Sequence, residues 1–242
     1  MTVCKKYRFL SVLLFSLLLL ALFSSCLTEI GGAVRPGGSA ELTLKTTMGP
    51  RTTALIRSLR TFSGEGANAP ILDGPSIARS MAVAPGVRAV ALVNTSSEAM
   101  EGGISISNIG DFLALPNAES RFITFNESRQ ASSIVVVLDR ASAPQLISLL
   151  SPEITDYLSA LMAPVVLGEI MSAGEYLDLV ASIYGRPLAA EITEARIRGT
   201  LELPRPVTAV HGGTFSGRRA VFDIPLLDIL LLERPLRYEV SW

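Results

Sequence analysis

One stretch near the start divides this chain in two, and the division constrains what the rest can fold into. Lys5, Lys6 and Arg8 open it, residues 9–23 are apolar apart from Ser11 and Ser16, and Ser24, Ser25 and Cys26 follow. The apolar run falls short of the roughly 20 residues that a helix needs to cross a ~30 Å hydrocarbon core. A basic start, a short apolar run and small residues before a cut point make a secretory signal. A cut after these small residues would leave the rest of the chain to fold. Of the 2 cysteines, Cys4 goes with the signal, so the remaining chain has Cys26 alone and no internal disulfide. Its stability must come from a hydrophobic core, which a chain of this length can build.

Phe23-Ser24-Ser25-Cys26 resembles the lipobox of bacterial lipoprotein signal peptides. Phe23 stands where Leu is usual, as in the relaxed lipoboxes of spirochaete lipoproteins. The resemblance implies cleavage between Ser25 and Cys26, a diacylglyceryl thioether on the Cys26 sulfur and a further acyl chain, of the palmitate kind, on its amine. One myristoyl chain binds a membrane only reversibly, at about 10⁴ M⁻¹, whereas two or three chains on one residue anchor stably. The expected partner is therefore a membrane, held through lipidated Cys26, with the domain outside the cytoplasm in the cell envelope. Leu27 stands where Asp would signal inner-membrane retention, which points to the outer membrane.

Composition narrows the function classes. With the three basic residues of the signal removed, 18 Lys and Arg face 22 Asp and Glu, so no basic excess suggests nucleic acid. A single His and one lipidated Cys argue against zinc, iron or copper, and no Asp-rich loop suggests calcium. No cofactor is expected.

The predicted architecture is α+β: a mostly antiparallel sheet with helices packed on one side and a helical insertion at about 143–184. Residues 26–39, with Gly31-Gly32, Pro36 and Gly37-Gly38, read as a flexible tether, and residues 40–242 as a single domain. Alternation predicts strands at 40–47, 87–93, 102–106, 121–127 and 133–139, and again at 195–203, 207–211, 220–224 and 238–242. Helical spacing predicts helices at 51–62 and from about 73 to 84. Within the helical block, Ser172-Ala173-Gly174-Glu175 fits a capping box, and Gly185 and Pro187 are the expected stop. Residues 225–232 are a dense apolar stretch.

Leu203-Pro204, Gly212-Gly213, Ala220-Val221-Phe222-Asp223-Ile224-Pro225 and the strand 238–242 resemble the end of envelope lipoproteins of the LppM type. This implies an α+β domain with some capacity for lipid-like ligands, and it carries over no functional residue.

Catalytic readings are weak. His211, Ser216 and Asp223 hold the residue types of a hydrolase triad, but they sit around one predicted hairpin, without the strand–turn–helix that exposes such a serine. Gly212 to Gly217 lacks the Lys and Ser/Thr of a phosphate-binding loop. Glu175 with Asp178, and Glu191 with Glu194, read as a cap and a solvated face rather than acid–base pairs. The expectation is a non-enzymatic, membrane-anchored envelope lipoprotein with a structural or partner-binding role. The alternative is a binder of lipid or another apolar small ligand, held between the 143–184 helices and the sheet.

Overall fold

The stretch expected to be a tether is a strand at the centre of a sheet. The computed structural model describes residues 27–63, 70–113, 122–128, 130–144 and 161–242. In it, β1 (Leu27–Val34) pairs antiparallel with β2 (Ala40–Thr47) and parallel with β7 (Arg196–Glu202). Gly31 and Gly32 are there for space rather than slack. A Cβ on Gly31 would meet Thr43 Oγ1 at 2.5 Å, and one on Gly32 would run into the Leu42 side chain. The ordered domain thus includes residues 27–39, which corrects both the tether and the domain start at 40.

Seven strands form the larger sheet, in the order β3 (Val87–Asn94), β4 (Ala99–Ile106), β2, β1, β7, β10 (Arg219–Pro225) and β9 (Thr214–Ser216). A second sheet runs β5 (Ile123–Glu127), β6 (Ser132–Leu138), β11 (Leu236–Ser241) and β8 (Ala209–His211). Among the described residues every pairing is antiparallel except β1 with β7. The fold is therefore α+β and antiparallel-rich, with two facing sheets where one was expected. Alternation sends Ile30, Val34, Ala40 and Leu42 of the large sheet inward, to meet Ile134, Val136, Tyr238 and Val240 of the small one.

Among the described residues the helices are α1 (Pro50–Ser63), α2 (Gly74–Ala82), α3 (Ile109–Phe112), α4 (Ala163–Val166), α5 (Ala173–Tyr184), α6 (Arg186–Glu194) and α7 (Leu226–Leu231). Asp73 caps α2, accepting from Ser76 N at 3.0 Å, and α2 packs on β3. Most of the others gather at one end of the sandwich. Leu27 pairs with Arg196, and Arg196 with Pro225, so β1 and β7 begin, and β10 ends, at the same edge. There α6 leads into β7 and α7 leaves β10, with Leu226 N donating to Ala195 O at 3.0 Å. In the small sheet Leu138 pairs with Leu236, and both are buried with Ile229, Leu230, Leu188 and Ile192. Among the described residues α2 lies on the large sheet, while most of the other helices close one end of the two-sheet sandwich.

The predicted helical block needs one addition. Residues 145–160 lie outside the described residues, while α4 and α5 fall within the block as expected. Gly185, at φ 91°, does end α5. Pro187 does not prolong the stop: it sits in the first turn of α6, where its missing N–H is not needed. Among the described residues, no helix is long and apolar enough to cross a membrane.

Candidate functional site

Between the two sheets lies an apolar cavity of about 280 Å³. Ile30, Leu42, Ile197, Leu201, Phe222 and Ile224 wall it from the large sheet, and Ile123, Ile134, Val136, Tyr238 and Val240 from the small one. Ile109, Phe112 and Leu113, on and just after α3, cover one flank. Asn108 fixes that helix by accepting from Asp111 N, and Ile109 N donates to Gly38 O at 2.7 Å, which ties α3 to the β1–β2 turn. Two facing sheets sit ~10 Å apart, so the filling of the gap depends on side-chain size. Gly199 supplies no side chain on the interior strand β7, where a Cβ would find only Phe222 atoms, at 3.8 and 3.9 Å. Ala40 supplies little. The missing bulk at these positions is the cavity.

The lining is almost wholly apolar, and Tyr238 contributes to it. Burial, and then the Asp228 carboxylate, push that phenol above its usual range, while Arg234 opposes them. Tyr238 therefore stays neutral near pH 7, and its ring meets Phe222 edge-on at 6.1 Å between centroids. Such a surface has no nucleophile and no ionised group to polarise a bond. It can exclude water and accept an apolar body.

The buried cluster at the helical end is packed side chain against side chain. Met162 and Leu230 are fully buried there, and the Tyr176 hydroxyl donates to Leu161 O at 3.1 Å. Burial, with a smaller contribution from Tyr184, pushes the Tyr176 phenol well above its ordinary value. Among the described residues the apolar cavity lies between the two sheets, and residues 145–160 of the block expected to cover a cleft lie outside them.

The outer face of the large sheet has a different character. Its register lines up Glu101, Lys45, Glu29, Arg198 and Asp223 across five adjacent strands, with charge alternating at every step. Opposite charges across strands favour this register by tenths of a kcal/mol per pair at such exposed positions. Arg198 and Asp223 stand 3.8 Å apart. This row faces solvent, and each charge in it has an opposite charge on the neighbouring strand.

The candidate residues fall apart in space. Asp223 lies between Phe222 and Ile224, which face the cavity, so it points to the outer side of the large sheet. His211 pairs with Glu239, whose neighbours Tyr238 and Val240 face the cavity, so it points to the outer side of the small sheet. Both sheets separate these two residues, and Ser216 sits opposite Arg219 at the large sheet's edge. Gly212 and Gly213 form the crossing from β8 to β9. Glu175 caps α5 as expected: the Ser172 hydroxyl and backbone hydrogen bonds hold its carboxyl below the usual range. Glu191 corrects the solvated-face reading. It is buried and caps another helix, accepting from Arg51 N at 2.9 Å and Thr52 N at 2.8 Å at the start of α1. Cys26 and the signal lie outside the described residues.

The sequence reading missed Ile30, Val34 and Gly199 as a group. The signal for the first two was period-two spacing, Ile30-x-x-x-Val34, interrupted by glycines that read as linker. The signal for Gly199 was a glycine inside a strand, a mark of close approach or missing packing.

No family model matches the chain, and no curated protein matches it. Among solved structures, the folded domain of the Mycobacterium tuberculosis LppM protein, determined by NMR, matches over 90% of this chain and 91% of that chain. The two share 12% identity, with a TM-score of 0.42.

Proposed function

We propose that the protein is a non-enzymatic cell-envelope lipoprotein, anchored through lipidated Cys26, whose domain holds an apolar ligand between its two sheets. The inter-sheet cavity carries this reading. Its volume, about 280 Å³, lies at the lower edge of the ~300–1,000 Å³ typical of small-molecule sites, and its walls are almost wholly apolar. It suits one acyl chain of medium length, or an apolar molecule of similar size, rather than a whole diacyl lipid. A structural or partner-binding role, first in rank from sequence, yields to the ligand reading on this observation. The wide separation of His211 and Asp223 supports a non-enzymatic role. The signal segment and Cys26 support the envelope location, with Leu27 favouring the outer membrane.

Two measurements test the two halves. Intact mass of protein purified from its native membrane should give a chain starting at Cys26 with two or three acyl chains, absent from Cys26→Ser. A chain retaining Met1 without lipid would overturn the anchor. Calorimetric titration with decanoate should then detect binding that Gly199→Leu abolishes, since the new side chain would occupy the cavity. Equal binding by both proteins would place the ligand elsewhere.

A further inference from the structure

We infer that the loop carrying Val166, Leu167 and Ile170 is a second membrane contact, seated in the headgroup–acyl boundary, that holds the helical end of the domain against the bilayer. This rests on the anchoring half of the proposed function and adds to it a docking surface and an orientation.

The first support is where the chain leaves the described structure. Leu27 is paired on one side with Thr47 and on the other with Arg196. A single peptide step, about 3.8 Å between Cα atoms, separates this locked residue from Cys26. Acyl chains on Cys26 would therefore enter the bilayer beside the edge of the sheet where β1 and β7 begin, with no linker to hold the domain away. That edge is also where the helices gather, because β10 ends there and α7 starts there.

The second support is what that end exposes. Val166 is 53% exposed, Leu167 72% and Ile170 86%. The segment turns at Gly168, with φ 76°. It is held to the helical layer rather than dangling. α4 packs against α7, and the Arg140 guanidinium donates to Glu169 O at 2.5 Å, Leu232 O at 3.2 Å and Leu231 O at 3.3 Å. Three aliphatic side chains displayed by a clamped loop are unfavourable in water and favourable at a lipid interface. Asp139, Arg140 and Glu233 edge the same concavity, so the surface is amphipathic, as an interfacial position requires.

The test uses the full lipidated chain, whose engineered thiol would be the only free one. Leu167→Cys is labelled with a polarity-sensitive nitrobenzoxadiazole dye and reconstituted into vesicles of phosphatidylcholine and phosphatidylglycerol. Val83→Cys serves as the reference. Val83 is 84% exposed and lies near the opposite end, just before β3 begins beside Ile106. The label at position 167 should brighten several-fold on reconstitution and be quenched by lipids spin-labelled near the headgroup, while the label at 83 stays dim. A label at 167 that matches 83, on protein that still floats with the vesicles, overturns the docking and leaves the anchor intact. A label at 167 already shielded before vesicles are added, in a concentration-dependent way, assigns the loop to a second copy of the chain and also overturns it. Protein that does not float and carries no acyl mass fails at the anchor, and the inference falls with it.

Discussion

The two cores of this protein are built from the same kinds of side chain and end in different states. The cluster at the helical end is closed: Met162 and Leu230 are fully buried, and Tyr176 both fills space and satisfies its hydroxyl. The cluster between the sheets is lined as thoroughly with Ile, Leu, Val and Phe, yet encloses about 280 Å³. The difference lies in what the backbone can do. Short helices can shift until their side chains interlock. Strands cannot: each is fixed by hydrogen bonds to its neighbours, and the sheet spacing is set by the largest residues facing inward. A glycine on an interior strand then leaves space that nothing moves to fill. Stability and capacity for a ligand are thereby lodged in different parts of one small domain.

The sharpest break of this comparison comes from truncation. Leu230→Ala removes a side chain packed on every side and should cost toward the upper end of the ~2–5 kcal/mol seen for such changes. Ile134→Ala, in the cavity wall, should fall toward the lower end, because part of its surface already faces no partner atoms. Urea unfolding of both variants gives the difference directly. Equal costs would mean that the cavity is closed in solution and that the two cores are alike.

The next effect concerns a device that only the helical end uses. Glu191, on α6, accepts two backbone N–H groups at the start of α1, and it is buried. Glu191→Ala leaves both donors without an acceptor in a place water reaches poorly, so a loss of about 2–3 kcal/mol is expected. Glu191→Gln keeps one carbonyl oxygen in place and should lose less. If both variants unfold at the wild-type urea concentration, the junction of α1 and α6 does not depend on this carboxylate, and the helical end is held by packing alone.

How much of this was legible in the sequence depends on whether the cue was local. Strand 40–47 came out with its observed bounds because Ala40, Leu42 and Leu44 alternate with Glu41, Thr43 and Lys45. The Ser172–Glu175 capping box was equally plain, since all its parts lie within one turn. Leu27–Val34 was read as linker because Gly31-Gly32 looks like slack when the facing Leu42 and Thr43 are not known to be there. The splitting of one sheet into two rests on long-range pairings, above all the parallel match of β1 with β7, which leave no mark within either strand. Glu191 was misread for the same reason: its partners, Arg51 and Thr52, are about 140 positions away. The cavity was the least legible feature, because it depends on what Gly199 lacks.

That lack gives the smallest effect and the finest test of the comparison. Adding bulk to a filled core forces side chains out of their preferred rotamers and typically costs 1–3 kcal/mol. Ala143→Val, at a position 1% exposed within the helical-end cluster, should behave in this way. Gly199→Val adds more atoms yet should be neutral or stabilising by up to about 1 kcal/mol. Its Cβ would meet Phe222 only at ordinary contact distance, the new methyls would enter empty space, and a β-branched residue suits a strand better than glycine does. The stabilisation should appear in ligand-free protein and vanish when the wild type is saturated with decanoate, because the ligand and the valine compete for one volume. A Gly199→Val variant destabilised as much as Ala143→Val would mean that the sheets close over this position in solution, and that the contrast between the two cores fails at the point where it matters for binding.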